Sequence, residues 1–138
     1  MAFTSLLTTE LNSLAAGNGS SLGSEFDNTA TGTKYMFGDF QLAVEFASSP
    51  TVNELVHIYL IPALDGSNYA DGSSTFFPAT CHKGAFPVRA NADPQKLVLF
   101  GIVLPPSKFK MIVVNTTSAA FESSGNVLSI LPYGQALS

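Results

Sequence analysis

Tryptophan is absent from the 138 residues, cysteine occurs once, and only 12% of the side chains carry charge. The single thiol, Cys81, excludes an internal disulfide. One Cys and two His (His57 and His82) fall short of the roughly four ligands of a structural zinc site, so no metal and no cofactor is expected. Basic residues number six, Lys34, Lys83, Arg89, Lys96, Lys108 and Lys110, and the net charge is −4. They are scattered, whereas nucleic-acid binding needs clustered cations, so nucleic acid is excluded as a primary partner. No apolar run approaches the ~18 residues of a membrane helix, so no membrane partner is expected. Residues 1–16 lack the basic start and unbroken apolar core of a secretory leader, and folding in a reducing cytoplasm is the expectation. Without that route, Asn18-Gly19-Ser20 and Asn115-Thr116-Thr117 are chance matches to the glycosylation sequon. No nucleophile elbow, phosphate loop or dinucleotide fingerprint occurs, and no catalytic residue is expected.

A surface so poor in charge is covered by Ser, Thr, Asn, Gly and apolar atoms. Such a surface suits a chain packed against other protein. It suits equally a β domain with Ser/Thr-rich loops.

What the sequence has is a series of β-rich apolar runs: LVHIYLIPAL, QKLVLFGIVLPP, KFKMIVVN and NVLSILPY. Pro, Gly, Ser and Asp separate them. From Tyr35 to Ala47 the alternation puts Met36, Phe40, Leu42, Val44 and Phe46 on one face, with Phe37 breaking the pattern. Leu55 to Ile61 is apolar on both faces apart from His57 and reads as a central strand, which Pro62 is expected to end because it has no N–H for the ladder. Lys96 to Leu104 is nearly continuous and reads as a strand buried on both faces. Phe86 to Ala90, Phe109 to Val114 and Asn126 to Tyr133 supply further strands. Six to eight strands with no intervening helix exclude a parallel βαβ fold. The expected architecture is all-β: an antiparallel two-sheet sandwich of jelly-roll type with an N-terminal arm. The length suits one domain that buries about 68% of its unfolded surface.

The expected organisation is an arm and flexible connector over 1–24, ending in GNGSSLGS, and a sandwich over 25–138. Phe3, Leu7 and Leu11 share one face of a helix or of a strand, so the arm's conformation stays open. An apolar arm on a hinge is a device for docking on a neighbour. A first strand that completes the sandwich fits the same residues.

Asp65 to Ala85 is a long polar loop with Gly66, Gly72 and Gly84, and loops of this length are usually functional or interfacial. Asp65, Asn68 and Asp71 faintly match a calcium loop, but the later Glu is missing, and a polar turn is favoured. His82 adjoins Cys81, and neighbours in a strand point to opposite faces, which disfavours a catalytic pair. Tyr69 is the candidate platform for a sugar. Phe76, Phe77 and Phe86 would form either a small core beneath the loop or an apolar contact patch.

The stretch from Leu64 to Leu131 resembles small virion structural proteins of tailed bacteriophages. The residues that carry the resemblance are Asp65 to Gly72, Phe86 to Arg89, Leu104 to Pro106 and Gly125 to Tyr133. They are turn and strand punctuation and cover about half of the chain. Within that group the chain looks most like a capsid decoration, or cement, protein. The resemblance implies a homotrimer on the outer head surface of the virion, with the major capsid protein as partner. Such a trimer would stabilise the expanded shell against DNA pressure by binding that state alone, with three weak contacts acting together. Phe3, Leu7, Leu11, Tyr69, Phe76 and Phe77 are the candidate partner contacts. The alternatives are a tail, neck or head-fibre component of the virion, or a glycan-binding β-sandwich module.

Overall fold

The computed structural model describes residues 3–30 and 34–136. Eight strands run through them: β1 (Thr4–Leu7), β2 (Phe26–Asp27), β3 (Lys34–Val44), β4 (Leu55–Ala63), β5 (His82–Pro87), β6 (Gln95–Val103), β7 (Lys108–Asn115) and β8 (Val127–Ala136). They form two four-stranded sheets, one ordered β1-β8-β3-β6 and the other β2-β7-β4-β5, here sheets A and B. The antiparallel pairs β4–β5, β3–β6, β2–β7 and β1–β8 nest inside one another, as if one long hairpin with β4 and β5 at its tip had been rolled up. This is the eight-stranded jelly roll, and the expectation of an all-β two-sheet sandwich holds.

Alternation builds the core. Phe40, Leu42, Val44, Leu128 and Ile130 project inward from sheet A, and Val56, Ile58, Leu60, Phe109, Met111 and Val113 from sheet B. Phe46 and Phe121 close one end edge to face, with ring centroids 5.4 Å apart.

The expected boundary at residue 24 is absent. β1 pairs with β8 inside sheet A, and Leu6, Leu7, Leu11 and Leu14 belong to the main core. Residues 17–23 then run along β7: Gly17, Ser20 and Gly23 donate backbone bonds to Asn115, Val113 and Met111. Of the two readings of this segment, the structure has the strand that completes the sandwich. Residues 1 and 2 lie outside the described residues.

Asn115 ties this segment down. Its side chain is wholly buried; Nδ2 donates to the Leu14 and Ala119 carbonyls, and Oδ1 accepts from the Thr117 N–H and hydroxyl. A side chain so enclosed is no glycosylation acceptor in the folded chain.

Two strand expectations are corrected. Pro62 does not end β4, which continues to Ala63. The Pro62 carbonyl turns away from β7 and accepts the Ala70 N–H at 2.9 Å, so the missing N–H lies on the side where β5 has already ended. β6 is not buried on both faces. It is an edge strand of sheet A, and from Lys96 to Val103 its residues alternate between exposed and half-buried except at Phe100 and Gly101, both exposed. Among the described residues no helix is long and apolar enough to cross a membrane.

Candidate functional site: the open face of sheet A

The outer faces of the two sheets differ. On sheet B, Ile61, Ile112 and Val114 point outward and are covered by Leu22, Tyr69, Phe77 and Cys81 from the 17–24 and 64–81 segments. Close approach is built into this cover. A Cβ at Gly19 would meet the Phe77 ring at 2.3 Å, and one at Gly72 would meet Ile61 at 2.7 Å. Among the described residues the outer face of sheet A has no such cover, and it is rich in aromatic and aliphatic side chains.

Register places the residues of that face. Phe37 lies opposite Tyr133 on β8 and Val103 on β6; Asp39 lies opposite Leu131, and Gln41 opposite Val98. The Phe37 and Tyr133 rings stack with centroids 5.7 Å apart. Between Gly38 and Phe40 the β3–β6 register slips: Asp39 faces two residues, Phe100 and Gly101. Gly101 takes a left-handed φ of 67°, and its N–H donates to Asp39 Oδ1 at 2.9 Å. This is a β-bulge on an edge strand, and it has two consequences. It interrupts the edge, which discourages pairing with another strand. It also throws Phe100 outward, 77% exposed, beside Val103 at 61% and Val98 at 42%.

Asp39 is the acid of this face. Desolvation, with the nearby Asp39 carboxylate, pushes the Tyr133 phenol up. The face therefore offers a stacked aromatic pair, a third ring on the bulge, and a carboxylate with one oxygen held by the backbone. At its Val103 end the face runs into an open groove of about 330 Å³, lined by Leu60, Pro62, Cys81, Leu104, Pro105 and Pro106 among others.

The contacts expected from sequence do not converge here. Leu7 and Leu11 are enclosed in the chain's own core and are not available to a partner. Phe3 is exposed at the start of β1. Tyr69 lies over sheet B. Lys110 Nζ sits 4.7 Å from its ring centroid, and its hydroxyl bonds to Glu25. Desolvation and that bond, with the Glu25 and Asp27 charges, push the Tyr69 phenol up to about 12. A ring covered on one face and anchored at its tip is a poor sugar platform. Phe77 packs against Tyr59 in the outer cluster, and Phe76 is exposed.

Sequence reasoning missed Phe37, Phe100 and Tyr133. One signal was present: Phe37 interrupts the alternation of β3 with an aromatic on the outward parity.

Asp65 makes a polar turn, the favoured reading. Oδ1 accepts the Ser67 and Asn68 N–H groups, and Oδ2 accepts Asn68 Nδ2. Those bonds hold the carboxyl at about 2. A depressed carboxyl stabilises the fold above its unfolded pKa and loses that contribution as pH falls through the folded value. The Asp65 carboxyl signal in an NMR titration is therefore expected to move near pH 2; a midpoint near 4 would mean the turn is open in solution.

His57 and His82 meet on the outer side of sheet B, Nδ1 to Nε2 at 2.8 Å. Burial, with the His82 charge, pushes His57 down. Cys81 is half-buried in the outer cluster.

No family model matches the chain, and no curated protein matches it. Among solved structures it is similar to the CBM36-1 domain of a multidomain xylanase from the hindgut metagenome of Trinervitermes trinervoides. The two are 13% identical with a TM-score of 0.50, over 96% of this chain and 98% of that one. A likeness at this identity shows a shared β-sandwich fold along the whole chain.

Proposed function

We propose that this chain is a non-catalytic binding module that engages glycan through the open face of sheet A. The observation that carries the reading is the stacked Phe37–Tyr133 pair, with Asp39 on the same face and Phe100 raised beside it. Aromatic faces take the C–H surface of a sugar ring, and a carboxylate beside them takes its hydroxyls. The fold neighbour, a carbohydrate-binding module, supports the reading by analogy of fold.

A second reading rests on a different feature of the same face. Val98, Val103 and Leu131 surround the rings with aliphatic surface that offers no hydrogen bonds. A charge-poor face of aromatic and aliphatic side chains is the chemistry of a protein interface core. Together with the sequence resemblance, it supports a virion structural protein, foremost a capsid decoration protein seated on the major capsid protein.

The test is binding of purified protein to a panel of polysaccharides and, in parallel, to expanded phage heads. Under the glycan reading a polysaccharide binds saturably, and Tyr133→Ala or Phe37→Ala weakens it roughly tenfold, about 1.4 kcal/mol, with the melting curve unchanged. Tyr69→Ala leaves binding intact. Binding to heads alone, lost in Phe100→Asp, would replace the glycan reading with the second. Glycan binding indifferent to both ring substitutions would overturn the assignment of this face.

A further inference from the structure

The covered side of sheet B carries a feature that the binding face does not use. His57 lies on β4, and His82 is the first residue of β5. The ladder between these strands slips between Ile58 and Tyr59, and that irregularity brings the two side chains onto one diagonal. Their ring nitrogens, His57 Nδ1 and His82 Nε2, share a hydrogen bond of 2.8 Å, with ring centroids 5.0 Å apart and planes inclined at 53°. Tyr59 meets His82 edge-on at 5.2 Å and supports the ring from the side. His82 is exposed and His57 half-exposed, so the pair is open to solvent.

We propose that His57 and His82 form a cross-strand chelate for a divalent transition-metal ion of the Cu(II) or Ni(II) class. Two imidazole nitrogens bound in adjacent positions at ~2.0 Å from one ion, at a right angle, stand about 2.8 Å apart. A tetrahedral ion spreads the same pair to about 3.3 Å. At 2.8 Å the two rings share one proton in a hydrogen bond; the ion displaces that proton, and a tetragonal ion, the preference of Cu(II) and Ni(II) with nitrogen and oxygen ligands, does so with the least movement of the rings. Among the described residues no group of three or more His, Cys, Asp or Glu converges, so the remaining positions belong to water or to a donor on another molecule. The two strands already hold the nitrogens together, so the second His binds at high effective concentration. The ion would also fasten the start of β5 to β4 and thereby anchor the end of the 64–81 loop.

The test uses untagged, metal-free full-length protein titrated with Cu(II), then Ni(II) and Zn(II), at neutral pH by calorimetry, with electron paramagnetic resonance of the Cu(II) form. Binding of one Cu(II) per chain is expected, with nitrogen hyperfine structure from two imidazoles and an ordering of Cu(II) above Ni(II) and Zn(II). His57→Ala and His82→Ala are each expected to weaken binding tenfold or more, and the double variant to retain only chain-terminal binding. The thermal midpoint should rise with Cu(II) in the unsubstituted protein and not in the double variant. Equal affinity in the unsubstituted and double-variant proteins would overturn the proposal, as would a spectrum with one nitrogen ligand. Both side chains are at the surface, and the unliganded melting curve of each variant shows directly whether the fold is kept.

Discussion

Removing residues 1–16 is expected to unfold this protein. Those residues include β1, an edge strand of sheet A, and four leucines of the main core, Leu6, Leu7, Leu11 and Leu14. Truncation of one buried leucine to alanine costs about 2–5 kcal/mol. Four lost together, with the β1–β8 ladder, exceed the roughly 5–15 kcal/mol by which a domain is stable. The loss also strips one wall from Leu128 and Ile130, which lie in register with Leu7 and Thr4. The truncated chain is expected to be insoluble or to show no cooperative thermal transition. A truncated protein with a native-like amide spectrum and an unchanged midpoint would return residues 1–16 to the status of a separable arm. Loss of partner binding after such a truncation would say nothing about docking, because the domain itself is lost. Phe3→Ala is the variant that probes docking here, since Phe3 is exposed and outside the core.

The second large effect is expected at Asn115. Its carboxamide makes four hydrogen bonds in a site closed to water, to the Leu14 carbonyl at 3.1 Å, the Ala119 carbonyl at 2.9 Å, and the Thr117 N–H and hydroxyl at 3.1 and 2.7 Å. Asn115→Ala strands the Thr117 N–H, at about 1–3 kcal/mol, and removes three further hydrogen bonds at about 1 kcal/mol each, while the Leu14 carbonyl keeps the Phe121 N–H and the Ala119 carbonyl keeps the Thr117 hydroxyl. A total of about 4–6 kcal/mol is expected, and for a domain of this size the melting midpoint falls by roughly 10 °C or more. Asn115→Asp keeps the shape and removes the donor, and it sets a carboxylate against two carbonyl oxygens. At neutral pH it should destabilise at least as much as Asn115→Ala. An Asn115→Asp protein as stable as the parent would show that shape, not hydrogen bonding, holds this corner. Urea unfolding of the three proteins at one pH separates the two cases.

The strands were legible in the sequence wherever one parity was apolar and the other was not. β3 follows that rule over Phe40 to Val44, and β4, apolar on both faces apart from His57, lies between β5 and β7 as its composition suggested. β6 has the same composition and a different place. Val98, Phe100 and Val103 make its outer face apolar in the sequence, but they are exposed because no segment among the described residues lies over them. Local pattern reports what a residue prefers, and the chain's path decides whether cover arrives. Phe37 and Tyr133 illustrate the same limit: 96 residues apart by number, they stack only because β3 and β8 are neighbours in register.

The sequence by itself determined an antiparallel sandwich, because alternation and turn chemistry are properties of neighbouring residues. It left open whether residues 1–16 were arm or strand, because a face of apolar residues looks the same before its partner is known. Only the tertiary structure decided that Leu7 and Leu11 lie inside, that Lys110 caps Tyr69, that His57 meets His82, and that the aromatic face lies on sheet A. Each of these depends on which distant strands are adjacent, and in a jelly roll the first strand pairs with the last.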